Sequence, residues 1–348
     1  MMPNDTLNLD YSLINHWQEP DSRLLGNNIE ECLLAMPGPT RILLPGADTS
    51  RCRVLVTLLH GNEPSGFTAL HRLLREGVRP AVNVYCYVIA TQAASLPPRF
   101  SHRQVPWKRD YNRCFRPPYD SDDQGPVCQS LLQEIQALQP EAVVDMHNTS
   151  GEGPAFGVTT SYDVKHDDIV SLFTDRLIVT NLRLGSIMET NTEVIPVVTI
   201  ECGGAFEATA DRVAYEGLQR YFTRDSLFSD GQQDYGIDMY YNPLRVEMHE
   251  AVSLVYGDSY VAGSDITLKT EIEHHNFGRV TPDTLLGWVG PAAMERLAAF
   301  DATRVNHFRE FYREDSGALY PRFNQKLFMI TGNAAIAMSD CLWYVVPD

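Results

Sequence analysis

The sequence has no CxxC pair. Its seven cysteines (Cys32, Cys52, Cys86, Cys114, Cys128, Cys202 and Cys341) are odd in number and scattered along the chain. That pattern argues against a disulfide framework and against a cysteine-ligated zinc site, and it suits a reducing compartment. No apolar run is long enough to span a bilayer. Residues 1–24 are polar and acidic and lack the basic-then-apolar layout of a secretory signal. Positive charge is scarce: 28 Lys and Arg stand against 45 Asp and Glu, for a net charge of −17. Such a field repels phosphate backbones. The expectation is a soluble, cytoplasmic protein with neither nucleic acid nor membrane as partner. Its oligomeric state, a homo-oligomer included, stays open. Internal repeats and low-complexity tracts are also missing.

What the chain does have is 348 residues, 44% of them hydrophobic, enough for a sizeable core in one large or two medium domains. Residues 53–59 (RVLVTLL) form a nearly continuous apolar run, as in a strand buried on both faces. A helix is predicted over 64–76, with Phe67, Leu70, Leu73 and Leu74 on one face, Pro64 in the first turn and Gly77 as its stop. Further strands are predicted at 81–90, 141–146, 155–160 and 197–200. Helices are predicted at 126–138, from a cap at Asp167 or Asp168 to about 178, and at 210–228. The alternation gives an α/β domain with a mostly parallel or mixed sheet. A polar stretch at 229–235 marks a change of character. Beyond it strands dominate, at 246–256, 266–272, 326–331 and 342–346, with a helical piece at 292–312. Two domains are expected: 1–233, and a smaller β-rich C-terminal domain over 234–348 that caps the active site.

Three short motifs fall near the ends of predicted strands, where open α/β sheets bind ligands. His60-Gly-Asn-Glu63 can aim two ligands at one ion across a tight turn that Gly61 permits. In Asp145-Met-His147-Asn148-Thr149, Asp145 and His147 share a strand face, so the carboxylate can orient the imidazole. Glu201-Cys-Gly-Gly follows the third run. Each motif alone is ordinary: a capped turn, a polar strand end, a strand-end carboxylate. Together, two His and one Glu make a three-ligand zinc site with an open position. Glu201 is then the carboxylate that takes and returns the proton in amide hydrolysis. Residues 99–116 hold six bases, Arg99, Arg103, Lys108, Arg109, Arg113 and Arg116, and one acid, Asp110. They are either a solvated basic loop or a clamp for a small anionic substrate. His274 and His275 are adjacent, so at least one should be solvated; His249 reads as structural.

In order, HGNEPSG, RDYNRCF, DMHNTS and ECGG resemble the succinylglutamate desuccinylase/aspartoacylase family, over roughly 54–204. The catalytic domain of that family is similar to the zinc carboxypeptidases. The resemblance implies a zinc carboxypeptidase-like mixed sheet flanked by helices. It implies one zinc ion per chain on His60, Glu63 and His147, with Glu201 as general base and then acid. Asp110, Asn112 and Arg113 match the D-x-N-R block, whose Asn and Arg hold a substrate carboxylate. Asn148 follows the third ligand as the family pattern expects. Tyr320, opening a YPRF segment, resembles a late tyrosine that reaches the substrate pocket. Arg99 best matches the arginine that polarises the scissile carbonyl; it lies further from Arg113 than the pattern predicts, which an insertion at about 101–108 would explain, and Arg103 is the rival. The arginine expected shortly before the general base has no counterpart in 191–199, and Arg183 lies too far away to be assigned. The implied activity is a zinc-dependent hydrolase that deacylates a small N-acyl amino acid or related anionic amide. The alternative is a zinc carboxypeptidase acting on peptides or peptidoglycan fragments; a third, a non-catalytic binding protein, is opposed by the complete ligand set.

Overall fold

A computed structural model describes residues 13–229, 233–248, 252–290, 293–339 and 341–348. The chain divides into two compact units. The first contains Met1–Asn148, Ala155–Leu177 and Arg183–Asp238; the second contains Thr149–Pro154, Ile178–Leu182 and Met239–Asp348. All seven cysteines are buried. Among the described residues, no helix is long and apolar enough to cross a membrane.

Nine strands form the largest sheet: β1 (Asn15–Gln18), β2 (Thr40–Leu44), β3 (Asp48–Thr57), β4 (Val82–Val88), β5 (Val143–Thr149), β6 (Phe156–Thr159), β7 (Arg176–Val179), β8 (Val197–Gly204) and β9 (Asp238–Tyr241). Their order is β1-β2-β4-β3-β5-β8-β6-β7-β9. The sheet is mixed, since β3 runs parallel to β4 and β5 while β2 is antiparallel to β4 and β6 to β8. The apolar run at 53–59 forms the second half of β3 and the residues just beyond it, with Val54, Leu55 and Val56 fully buried. One face of β3 and β5 packs on Leu131 and Ile135 of the helix Gln124–Leu138. The helix Ala208–Thr223 also reaches the sheet, where Tyr221 Oη donates to the Val54 and Ala142 carbonyls. The helix Ser65–Glu76 buries Phe67, Leu70 and Leu73. It stops at Gly77, whose φ of 68° lets its amide reach back to Leu73 and Leu74.

Several elements differ from their sequence reading. β5 runs on to Thr149 and β8 to Gly204, so His147 and Glu201 sit within strands. Pairing with β6, which sets Phe156 opposite Glu201, carries β8 through a polar stretch that hydropathy alone would end. The helix assigned a cap at Asp167 or Asp168 instead spans Val164–Val170. Its cap is Asp163, in a reciprocal box with His166. The apolar residues of 176–179, read as the end of that helix, form β7.

The second unit contains two five-stranded sheets. One has the order Gly278–Val280, Gln325–Phe328, Trp343–Pro347, Leu244–Met248, Leu297–Phe300. The other has the order Leu254–Tyr256, Ile266–Leu268, Gly287–Val289, Ala318–Pro321, Tyr312–Asp315. Their shared core includes Trp343, Tyr312 and Phe308, and Trp343 Nε1 donates to Tyr312 Oη at 2.7 Å. The helix expected over 292–312 is overturned. Leu297–Phe300 pairs antiparallel with Arg245–Met248, so sheet partners override the helical preference of its alanines. A single helical turn, Phe308–Phe311, follows. His274 is exposed in a 3-10 turn, and His249 lies outside the described residues.

Candidate metal centre

His60 and Glu63 lie on the turn that leaves β3. Gly61 is required there because a Cβ would lie 2.5 Å from the Ala94 nitrogen and 2.6 Å from the His102 oxygen. Its amide donates to the Arg103 carbonyl at 2.9 Å, which ties the 101–110 loop to the turn. His147 enters from β5. The three residues are buried, and their ligand atoms converge. His60 Nδ1 lies 2.8 Å from Glu63 Oε1, and His147 Nδ1 lies 2.7 Å from Glu63 Oε2. The two Nδ1 atoms are 3.1 Å apart.

The opposite ring nitrogens decide what this convergence means. His147 Nε2 is 2.8 Å from Asp145 Oδ2, and His60 Nε2 is 3.1 Å from Asp110 Oδ1. In the tautomer that carries its proton on Nε2, beside an aspartate, each ring turns a bare Nδ1 lone pair inward. Two lone pairs then face each other and a carboxylate in a dry pocket. Acceptors so placed repel, and a cation among them removes the repulsion. Tetrahedral zinc at about 2.0–2.1 Å from each ligand would hold them roughly 3.3 Å apart, a few tenths of an ångström from the spacing here. His60, Glu63 and His147 therefore form a group that could hold a metal ion.

The charges within the group act strongly on one another. Burial would raise the Glu63 carboxyl, but His60 and His147 hold it well below the usual range. Burial would depress His147, but Asp145 and Glu63 raise it well above. Asp110, also buried, is held low by His60, Arg103 and Arg113. Asp145 accepts a further bond from Thr199 Oγ1 at 3.1 Å.

Glu201 differs from these carboxylates. It stands on β8 beside β5, half-buried, and its Oε2 is a buried atom without a hydrogen-bond partner. Burial pushes its pKa up to about 7, with His147 and His60 opposing and Glu63 and Asp145 reinforcing. A carboxyl at that value is present in both protonation states near neutrality.

The remaining sequence candidates separate. Asn148 uses its side chain within the protein: it accepts from Ser65 N–H at 3.1 Å and donates to Ser65 Oγ and the Gly203 carbonyl. Its own N–H donates to Glu63 Oε2 at 3.2 Å, so it holds β5, β8 and the start of a helix around the ligand. Asn112 is buried, with Nδ2 3.4 Å from His147 Nε2 and Oδ1 accepting from Ile187 N–H. Arg113 is half-buried and bonds the Asn112 carbonyl. Arg103 pairs with Asp110 at 3.0 Å and lies 3.5 Å from Glu63, whereas the exposed Arg99 pairs with Glu30 at 2.8 Å. Lys108 and Arg109 pair with Asp123 and Asp122, so two of the six bases are taken up by acids that follow the stretch. Tyr320 belongs to the second unit, where its ring lies under the Arg313 guanidinium at 4.7 Å. The approach of Asp110 to His60 was not foreseen. Its only sequence signal was a lone acid among six bases.

No family model matches the sequence, and no curated protein does. Solved structures do match. A succinylglutamate desuccinylase/aspartoacylase from Rhodobacter sphaeroides is 15% identical with a TM-score of 0.52, over 84% of this chain and 83% of its own. A succinylglutamate desuccinylase from Vibrio parahaemolyticus is 12% identical with a TM-score of 0.53, over 86% and 82%. Another, from Vibrio cholerae, is 12% identical with a TM-score of 0.50, over 86% and 99%. The class they define is a fold: a zinc carboxypeptidase-like mixed sheet flanked by helices, followed by β-rich sheets. This chain has that fold, and many of its structural neighbours are succinylglutamate desuccinylase/aspartoacylase proteins.

Proposed function

We propose that this protein is a zinc-dependent amidohydrolase that deacylates a small, anionic N-acyl amino acid. One zinc ion per chain would be held by His60, Glu63 and His147. The observation that carries the reading is the convergence of two buried Nδ1 atoms, 3.1 Å apart, on the Glu63 carboxylate, with an aspartate beside each Nε2. When bound, zinc would supply Lewis acidity, polarising a carbonyl and making water a better nucleophile near neutral pH.

This chain's residues would do the rest. Glu201, with a pKa of about 7, takes a proton from the attacking water and delivers it to the leaving nitrogen. Arg103, anchored on Asp110, is the cation we place beside the carbonyl oxygen as negative charge grows there. We prefer it to Arg99, which is engaged with Glu30. Arg113, with Asn112, is assigned the substrate carboxylate, which suits its planar fork. Asp110 and Asp145 act as positioning residues for the two imidazoles, and Asn148 for Glu63.

The test is metal analysis of protein purified without chelators, joined to an activity screen. Zinc-loaded protein is assayed against N-acetyl, N-succinyl and N-formyl amino acids, with Glu201→Gln as the blank. We expect about one zinc per chain and turnover that the variant abolishes. Metal-free protein, or turnover of peptides alone, would refute the reading.

A further inference from the structure

The polar groups above account for an amide and a carboxylate, but for no apolar part of a substrate. Two exposed aromatic residues close to them in the chain supply one. We propose that Trp107 and Phe206 form an apolar rim of the candidate site and bind a large apolar side chain on the amine half of the substrate. The inference rests on the deacylase reading and narrows its substrate class.

Four aromatic residues take positive φ: Phe100, Trp107, Phe206 and Phe277. That conformation is strained for a bulky L-residue and calls for an explanation. Packing explains two of them. Phe100 is buried, and Phe277 stacks on Phe328 at 5.3 Å with its edge toward Tyr240. It does not explain the others: Trp107 is 90% exposed with a φ of 65°, and Phe206 is 67% exposed with a φ of 67°. Each leaves a large apolar surface in water on a strained backbone.

Their positions give the explanation. Trp107 sits in a tight turn closed by Lys108 N–H to the Val105 carbonyl at 3.0 Å. Pro106 fills the second place of that turn, and Trp107 the third, where positive φ favours glycine or asparagine. The turn is rigidly held. Gln104 Nε2 donates to the Lys108 carbonyl at 2.7 Å, and Val105 is buried against Ala90 and Ala93. Its two ends are Arg103 and Asp110, joined by their ion pair, and Asp110 lies 3.1 Å from His60. Trp107 is thus three residues from a carboxylate that holds a candidate ligand. Phe206 lies two residues beyond β8, the strand of Glu201. The Gly203 carbonyl, three residues before it, accepts from Asn148, whose N–H meets Glu63. Both aromatics are therefore short extensions of segments bonded directly to the site. A rigid exposed ring binds an apolar group at small entropic cost.

The test uses the N-acetyl, N-succinyl and N-formyl derivatives of alanine, leucine and phenylalanine. Wild-type enzyme is expected to prefer leucine and phenylalanine to alanine. Trp107→Gly and Phe206→Asn relieve the backbone strain, so neither should lower the melting temperature. Each should raise KM for the leucine derivative about tenfold, with the loss in KM rather than kcat. Among the four tryptophans only Trp107 is exposed. Emission of Glu201→Gln should therefore shift to the blue as the leucine derivative saturates it, and the shift should vanish when Trp107→Phe is added. Active wild-type enzyme with no side-chain preference, unaltered KM in folded variants and no emission shift would overturn the rim while leaving the deacylase reading standing. Wild-type enzyme that turns over no derivative would overturn both.

Discussion

At the scale of single residues, the site assigns different work to chemically similar groups. Of its four carboxylates, Glu63 is held low by two histidines, Asp110 and Asp145 each lie beside an imidazole nitrogen, and Glu201 is pushed by burial up to about 7. Under the proposed function, that inequality separates ligand, orienting groups and proton carrier. Glu201→Gln is expected to keep its zinc and lose about 10²–10⁴ in kcat, the usual weight of general acid–base catalysis. Zinc content and turnover measured on one preparation check it. Asp110→Asn and Asp145→Asn should each weaken zinc by about 10–100-fold in a competition with a chelator; unaltered affinity would contradict their orienting role. Arg103→Ala should lose about 10²–10³ in kcat/KM, and Arg99→Ala no more than a few-fold. The reverse order would restore Arg99 as the polarising residue. The candidate ligands were legible in the sequence because they lie in short motifs. The second nitrogen of His60 was not, since its partner lies fifty residues away and only folding brings it there. The basic stretch was legible only in part. The window closed at Arg116, just short of Asp122 and Asp123, which take up Lys108 and Arg109.

At the scale of elements, what was readable depended on where the information resides. The helix Ser65–Glu76 was visible because its apolar face, leading proline and stopping glycine are all local. The far ends of β5 and β8 were not, because polar residues continue a strand only when a neighbour pairs with them. Leu297–Phe300 shows the same override within the second unit. The helix Ser65–Glu76 also carries a testable pH dependence. His71 is buried on it and bonds the Leu25 carbonyl at 2.9 Å. Burial lowers its pKa below the ordinary 6.5, and nearby Arg75 adds to the effect. Below about pH 6.5 the unfolded chain therefore takes up a proton that the folded chain refuses. Stability contributed by neutral His71 is complete above 6.5 and is lost as pH falls toward the folded value. His71→Gln keeps a donor for Leu25 and cannot titrate. Urea midpoints at pH 7 and pH 5 should fall further for the wild type than for the variant. Parallel losses would show that acid acts elsewhere.

At the scale of the whole molecule, a chain with a net charge of −17 buries further negative charge at one point of its first unit. Glu63, Asp110, Asp145 and Glu201 surround two imidazoles, with Arg103 as the nearby counter-charge. A divalent cation at the centre would turn this repulsive cluster into an attractive one, and only the folded chain assembles it. Metal binding should therefore appear as folding stability. At a free zinc concentration a hundred times the dissociation constant, linkage gives about 2.7 kcal/mol. For a unit of this size that corresponds to a melting temperature about 5 °C or more above the metal-free value. Chelator-treated protein should melt lower, regain its transition with zinc, and regain less of it with magnesium, which prefers an octahedral shell of oxygen ligands. The Asp145→Asn variant should show a smaller zinc-dependent rise at equal metal. Calorimetry on the same samples, with metal content measured before and after chelation, decides the matter. A transition that stays put after zinc is demonstrably removed would mean that this cluster is balanced without an ion.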